Sequence, residues 1–388
     1  MKSVYIVKAK RSAIGSFLGS MSELKASDLS ANLIKHLTVD LPKNAVDEVI
    51  LGNVLQGGVG QNSARQAAIL GGLDHSTPAV TINNVCGSGL YSVALAYESI
   101  ISGRNNLVLA GGHESMSLAM HAMYLRKGFK YGNGTMLDLM SNDGLTDAFS
   151  GKLMGTTAEN IARKYNISRE EQDIFSLNSQ AKASKASKGG EFIDEILPIE
   201  IRSGKNVSIF KEDEYIRHDL TPEQLYKLKP VFDKDGTVTA GNSSGVNDGA
   251  ALLMIASGEA VKMYNLKPLA EIKSFSVAAV DPEIMGTGPI PATQLCLKRA
   301  GWNINQLDLV EANEAFAAQA ICVNKELGWD EEKVNVAGGA IALGHPLGAS
   351  GCRIMVTLIH QMLKRNAKKG LATLCVGGGQ GVAMCIQM

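Results

Sequence analysis

The first residue able to do covalent chemistry is Cys86, in the stretch Pro78-Ala-Val-Thr-Ile-Asn-Asn-Val-Cys86-Gly-Ser-Gly89-Leu90. The β-branched run that starts at Pro78 and ends at Val85 predicts a buried strand. Beyond it Leu90, Val93, Ala94, Tyr97 and Ile101 recur at helical spacing. Cys86 therefore falls on a strand-to-helix turn. A helix start offers free N–H groups and partial positive charge, and both favour a thiolate. On that ground the Cys86 pKa is expected below the free value of about 8.5. The glycines flanking Ser88 admit another molecule's carbonyl at close range. The plainer reading, a buried structural cysteine, fits most intracellular cysteines. Turn position, glycines and helix start together favour the nucleophile.

A thiol nucleophile needs a base and an orienting group. His345 lies in the glycine-rich run Asn335-Val-Ala-Gly-Gly-Ala-Ile-Ala-Leu-Gly-His345-Pro-Leu-Gly-Ala-Ser-Gly351. Cys375 ends an apolar strand and leads into Val376-Gly-Gly-Gly379, and Asn313-Glu314 follows the apolar run at Leu307. Taken singly, each has an ordinary structural explanation: a loop histidine, a core cysteine, a capping asparagine. An internal repeat changes that weighing. Gly87-Ser-Gly89 opens a helix that is followed by a strand ending at Gly111-Gly112. Gly348-Ala-Ser-Gly351 opens a helix that is followed by a strand ending at Gly377-Gly378, at a similar separation. Two such halves bring helix starts and strand ends together across a pseudo-twofold axis, where α/β sheets bind ligands. Backbone N–H groups of the glycine loops would serve an oxyanion there.

Strands and helices must alternate to hold these groups, and the pattern does so. Strands are expected at Ser3–Val7, Val46–Val54, Val80–Val85 and Leu107–Ala110, with helices at Ser27–Leu37 (capped by Ser27), Gln61–Leu70 and Leu90–Ile101. After Asn247 further strands are expected at Ala250–Ala256, Lys267–Val280, Leu307–Glu311 and Leu371–Cys375. The helices between them are expected at Ala292–Ala300, Ala315–Leu327 and Ile354–Leu363. This is an α/β layered fold. Between them the texture changes to Met, Lys, Asp, Gly and Ser, with one helix pair, Thr157–Tyr165 and Ser168–Lys188, the second opened by the capping box Ser168-Arg-Glu-Glu171. The domain reading is an N-terminal half over 1–117, completed by about 246–266, an inserted loop domain over 118–245 that covers the ligand site, and a C-terminal half over 267–388.

Composition narrows the classes. Thirty-eight basic and 38 acidic residues balance over 388 positions, which argues against a nucleic-acid or anionic-membrane surface. The six cysteines include no C-x-x-C pair, so no zinc or iron–sulfur signature is present and no metal site is expected. Scattered cysteines in a long chain point to a reducing compartment and a cytoplasmic location. The N-terminus enters a strand without a signal-type apolar region, and no run approaches a membrane span.

The motifs Asn84-Val-Cys86-Gly-Ser-Gly, Ala110-Gly-Gly-His-Glu-Ser-Met, Met154-Gly-Thr-Thr-Ala-Glu-Asn160, Gly241-Asn-Ser-Ser-Gly245, Met285-Gly-Thr-Gly-Pro289, Asn313-Glu-Ala-Phe316, Gly344-His-Pro-Leu-Gly-Ala-Ser-Gly351 and Cys375-Val-Gly-Gly-Gly379, in this order, resemble the thiolases over the whole chain. Within that family the sequence is similar to the biosynthetic branch. The resemblance implies duplicated α/β halves in a five-layer α-β-α-β-α arrangement with an inserted loop domain. It implies a ping-pong Claisen condensation of two acetyl-CoA to acetoacetyl-CoA plus coenzyme A, reversible by thiolysis, through an acetyl-cysteine. The alternative is a degradative 3-ketoacyl-CoA thiolase with longer substrates. A non-catalytic acyl-carrier scaffold is argued against by the intact Cys86, His345, Asn313 and Cys375. A ketoacyl synthase would pair its cysteine with two histidines.

Residue by residue, Cys86 resembles the acylated nucleophile, His345 its base, and Cys375 the acid/base at the α-carbon of the second substrate. Asn313 and His345 resemble one oxyanion site, working through a water, and the N–H groups of Cys86 and Gly377 the other. Ser244 and Arg217 match coenzyme A contacts, and Met154, Met285 and Phe316 would line the acyl and pantetheine tunnel. Leu153 stands where this branch often has His, and Asp219–Gln224 departs from the usual adenine-side loop. Coenzyme A thioesters are substrates here, and no cofactor is implied. The segment from Met120 to Gly134 resembles the loop that ties family dimers into homotetramers.

Overall fold

The computed structural model describes residues 3–204 and 206–388. Its framework is a mixed sheet of β1 (Val4–Arg11), β2 (Glu48–Gly52), β3 (Ala79–Ile82), β4 (Leu107–Ser115), β5 (Asn247–Ser257), β6 (Ala270–Ala279), β7 (Leu309–Ala312), β8 (Lys369–Val376) and β9 (Gln380–Gln387), in the order β7-β8-β9-β6-β1-β5-β4-β2-β3. The duplication is written into the pairing. In the first half β1 runs antiparallel to β5, β5 antiparallel to β4, and β4, β2 and β3 are mutually parallel. In the second, β6 runs antiparallel to β9, β9 antiparallel to β8, and β8 is parallel to β7. A parallel bridge from Val310 to Val334 stands where a further strand would lie. The halves join through a narrow antiparallel contact, Tyr5 opposite Glu271 and Ile6 opposite Ala270.

Three cores separate the layers. Along β5, Leu252 and Met254 face the layer of α1 (Ala26–Leu37) and α2 (Ser63–Leu70), while Ala251, Leu253 and Ile255 face the opposite layer. That is the two-residue alternation of a strand covered on both faces. The middle layer holds α3 (Ser88–Ile101) and the long helix Leu347–Arg365, contributing Leu90, Val93, Ile354 and Leu358. On the far side Cys296 and Val323, from the helices Pro289–Ala300 and Ala317–Leu327, pack on Val310, Leu371 and Ala383. The layers therefore run α-β-α-β-α.

Between β4 and β5 the chain forms α4 (Met154–Lys164), α5 (Arg169–Lys188) and a hairpin of Ile199–Ser203 with Asn206–Phe210. The capping box is present: Ser168 Oγ accepts from the Glu171 N–H at 3.1 Å and the Glu171 carboxylate accepts from the Ser168 N–H at 2.7 Å. The C-terminal helices follow as α6 (Pro289–Ala300), α7 (Ala317–Leu327), α8 (Ala340–Leu343) and α9 (Leu347–Arg365).

Three local expectations fail: first, α1 begins at Ala26 behind Lys25, so Ser27 lies inside its first turn and does not cap it. β3 is an edge strand and half-exposed, because among the described residues only β2 pairs with it. The second repeat helix begins at Leu347 rather than at Ile354, so Gly348 and Gly351 lie inside its first turns. There α3 and α9 cross backbone to backbone. A Cβ on Gly89 would meet the Cys352 nitrogen at 2.8 Å and the Gly348 oxygen at 2.9 Å, and one on Gly351 would strike the Leu90 nitrogen. Close packing, not turn formation, requires glycine at Gly89 and Gly351.

Candidate active site

Cys86 lies two residues before the start of α3, in a turn under strain. Val85 has φ +46°, in the left-handed region that a β-branched residue rarely enters. The turn is closed by Ser88, whose hydroxyl donates to the Val85 carbonyl at 2.7 Å and accepts the Asn84 N–H at 2.8 Å. The N–H groups of Gly377 and of Cys86 itself lie close enough to the sulfur to favour its anion. The expected depression of the thiol pKa does not occur. Burial pushes it up to about 11, outweighing both N–H donors, and the charge of Glu114 adds to the rise. The helix start is real, but the thiol is too dry for it to win.

His345 sits two residues before the start of α9. Its N–H donates to Asn247 Oδ1 at 2.9 Å, and Gly344, at φ +105°, lies so close to Asn247 that a Cβ would stand 2.5 Å from its Cγ. The ring Nδ1 lies 2.6 Å from Ser350 Oγ, and that hydroxyl donates to the Pro346 carbonyl at 2.9 Å. With its proton so engaged, Ser350 accepts from Nδ1–H. That assignment leaves Nε2 as a bare lone pair, and Nε2 is buried without a partner. Burial, and secondarily the Arg353 charge, lowers the imidazole pKa to about 3. The resting pair is a neutral thiol and a neutral imidazole with its acceptor nitrogen free.

Cys375 is the penultimate residue of β8 and fully buried. It packs in one small cluster with Met285 and Ala315, against Met154 and Phe316. Burial drives its pKa far up, and proximity to Cys86 drives it further. Asn313 directly follows β7. Its N–H donates to the Thr373 carbonyl at 3.0 Å, yet both side-chain amide atoms are buried without a partner. Buried carboxamides are nearly always satisfied, so this orphan pair marks a place prepared for something else.

A cavity of about 210 Å³ is lined by Cys86, His345, Leu153, Met154, Ser244, Met285 and Phe316 from the expected set, while Cys375, Asn313 and Gly377 are not in its lining and Cys375 packs against the lining residues Met154, Met285 and Phe316. Its walls are strongly apolar. Ser244 is placed by backbone pairing: its N–H donates to the Ala315 carbonyl at 3.0 Å. Arg217 does not line the cavity. Its guanidinium stacks 5.6 Å from the Tyr215 ring, and Tyr215 crowds Gly245 at the cavity wall, so Arg217 stands exposed outside the mouth. Sequence reasoning missed Phe232, Met116, Leu145 and Leu347. Phe232 packs on Gly155 and meets Phe316 edge to face at 6.2 Å. An aromatic inside the polar texture of 118–245 was the available signal. Among the described residues no group of His, Cys, Asp and Glu is arranged to hold a metal, and no helix is long and apolar enough to cross a membrane.

Comparison with known proteins shows the family. The family model described as the thiolase N-terminal domain matches residues 4–259, and that of the thiolase C-terminal domain matches residues 266–388. The chain is 55% identical to an acetyl-CoA acetyltransferase of Chromobacterium violaceum, covering 99% of both chains. It is 54% identical to one of Paracoccus denitrificans over the whole of both. The crystal structure of the Bacillus anthracis acetyl-CoA acetyltransferase superposes with a TM-score of 0.98 at 43% identity, covering 100% of this chain and 99% of that one. Human mitochondrial 3-ketoacyl-CoA thiolase superposes with a TM-score of 0.96 at 44% identity, with the same coverage.

Proposed function

The chain belongs to the thiolase family, and we propose that it is an acetyl-CoA C-acetyltransferase that joins two acetyl-CoA into acetoacetyl-CoA and coenzyme A. The observation that carries this reading is the meeting of Cys86 and His345, whose Nε2 has no partner among the described residues, at one apolar cavity. Full-length relatives of that name support it over the degradative alternative.

In the proposed first half-reaction Cys86 Sγ attacks the acetyl-CoA carbonyl and its proton passes to His345 Nε2. The carbonyl oxygen turns toward the N–H groups of Cys86 and Gly377, which already converge on the sulfur. Coenzyme A leaves as its thiolate and takes the proton of Cys375, a group that burial keeps neutral at rest. The Cys375 thiolate so formed then removes a proton from the α-carbon of a second acetyl-CoA. Its enolate oxygen is held by Asn313 Nδ2 and protonated His345, through a water. Carbon–carbon bond formation releases Cys86, which recovers its proton from His345. Both thiols and the imidazole end as they began. The dry cavity strengthens each of these hydrogen bonds.

Ser244 and the exposed Arg217 are proposed contacts for the pantetheine and nucleotide ends of coenzyme A. Leu153, Met154, Met285, Phe316 and Phe232 are proposed tunnel walls, and the inserted segment 118–245 the cover. We further propose a cytoplasmic homotetramer. Six unpaired cysteines suit a reducing compartment. The open edge of β3 and the exposed Met120, Tyr124, Leu125, Phe129 and Tyr131 suit buried subunit contacts. Incubation with acetyl-CoA should acetylate Cys86 alone by intact-protein mass spectrometry and yield acetoacetyl-CoA. Preference for long 3-ketoacyl-CoA in a chain-length series of kcat/KM would instead favour the degradative reading.

A further inference from the structure

The amide of Asn313 has no hydrogen-bond partner among the described residues, so no hydrogen bond of its own fixes where it points. Its orientation must come from the backbone on either side, and one residue grips both sides. Asn335 Oδ1 accepts the Ala312 N–H at 2.9 Å. Asn335 Nδ2 donates to the Ala312 carbonyl at 2.8 Å and to Glu314 Oε1 at 2.8 Å. The residues before and after Asn313 are thus held by one buried carboxamide. Asn335 itself is fixed: it sits at φ +46°, its N–H donates to the Val310 carbonyl at 2.9 Å, and its carbonyl accepts the Gly338 N–H at 2.9 Å. The left-handed turn, which Asn tolerates better than most residues, lets the side chain continue the strand pairing where the backbone leaves it.

The second oxygen of Glu314 accepts Ser179 Oγ at 2.7 Å and the Ile341 N–H at 3.2 Å, in the short helix α8 that leads to Gly344 and His345. The Gly339 N–H donates to Ser179 Oγ at 3.1 Å. One network of satisfied bonds therefore frames the two unsatisfied groups.

We infer that Asn335 is a positioning residue for Asn313, acting on the enolate-forming half-reaction and not on acylation of Cys86. The inference rests on the proposed role of Asn313. Geometry explains the choice of residue. Aspartate would keep the acceptor for the Ala312 N–H but set its other oxygen against the Ala312 carbonyl and the Glu314 carboxylate. Glycine keeps the left-handed backbone and loses all three bonds. A loosened Asn313 costs rate because small misplacements in a site are expensive, up to about 100-fold.

The test is a set of variants, Asn335→Gly, Asn335→Asp and Ser179→Ala, each alone and combined with Asn313→Ala. Acetylation of Cys86 is timed by mass spectrometry, condensation by acetoacetyl-CoA formation, and folding by thermal melts. Asn335→Gly should slow condensation about 10- to 100-fold and leave acetylation within about twofold. Added to Asn313→Ala it should cost nothing further, because it acts through that residue. Ser179→Ala, at the edge of the network, should slow condensation alone by about threefold, and it carries the same test if the Asn335 variants do not fold. Equal losses in both half-reactions, or the same loss with and without Asn313, would overturn the inference while leaving Asn313 in its role. Unimpaired condensation by Asn313→Ala alone would overturn both.

Discussion

The two halves place chemically different groups at matching positions. Glu114 and Cys375 are each the penultimate residue of the equivalent strands β4 and β8, and each pairs across to a glycine, Gly249 or Gly381. Asn53 and Asn313 each follow the equivalent strands β2 and β7. Cys86 and His345 each lie two residues before a central helix. In the first half the places of Glu114 and Asn53 are locked. Glu114 accepts four N–H bonds: from Asn53 Nδ2 at 2.6 Å, Val54 N at 3.0 Å, Leu55 N at 3.1 Å and Gly348 N at 2.8 Å. Asn53 Oδ1 accepts from Ser63 at 3.0 Å. In the second half the Asn313 amide and His345 Nε2 have no hydrogen-bond partner among the described residues. One set of positions was satisfied to hold the halves together. The other was left unsatisfied, which costs stability and leaves bonding capacity for a substrate.

The largest test of that division lies with the cysteines. Cys86→Ser should lose both half-reactions, since an unactivated hydroxyl is a poor nucleophile. Cys375→Ser should still take one acetyl group from acetyl-CoA and then fail to condense it, because its hydroxyl cannot supply a ready base. Mass spectrometry beside an acetoacetyl-CoA assay separates the two. A folded Cys375→Ser enzyme that condenses at full speed would move the α-proton to another base. His345→Ala follows in size, slowing acylation about 10²- to 10⁴-fold in a protein that still folds but melts lower, because the bond from Nδ1 to Ser350 and the packing of a buried ring are lost.

The asparagines test the comparison most directly. Asn313→Ala should slow condensation about 10²- to 10³-fold, the usual cost of one oxyanion donor, with melting unchanged or raised. Asn53→Ala should do the reverse. It strips a donor from buried Glu114 and should cost about 1–3 kcal/mol of stability, with kcat within about threefold of wild type. Denaturant unfolding and steady-state rates on the same preparations read both. If Asn53→Ala were the kinetically damaged variant and Asn313→Ala the unstable one, the division of labour would be inverted.

Much of this was legible in the chain. Strand–helix alternation, the repeat and the residues Cys86, His345, Asn313 and Cys375 could be read from periodicity and glycine placement. The failures share a cause: tertiary packing decided them. The start of α9 was hidden because Gly348 and Gly351 imitate a loop, whereas they mark a helix crossing. β3 read as buried because its residues are β-branched, and its place at the sheet edge is set by partners far along the chain. β9 and the hairpin at Ile199 carried too little pattern of their own. Asn335 and Phe232 were missed because their importance lies in what they touch. Phe232 meets residues of α4 and of the loop before α7, and Asn335 meets the end of β7.

The Cys86 pKa was the sharpest disagreement, and it yields the most modest test. A helix start lowers a thiol pKa by favouring the anion, while burial raises it by denying the anion water. Here burial wins and the thiol stands at about 11, with a neutral His345 whose own pKa has fallen to about 3. The sign of the pH dependence follows. Below the thiol pKa the thiolate fraction rises tenfold per unit, so alkylation of Cys86 by iodoacetamide should keep accelerating through pH 8.5, where a free thiol is half ionised. His345 cannot hold the proton in the resting enzyme, since with a pKa of about 3 it is a far weaker base than the Cys86 thiolate. The rate at pH 8.5 should therefore fall about 100-fold short of a free thiol. Acetyl-CoA should protect the residue, because it fills the same cavity. A profile that levels off below pH 8.5 would show that the helix start and the Gly377 N–H outweigh burial, and the resting enzyme would then carry a thiolate–imidazolium pair instead of two neutral groups.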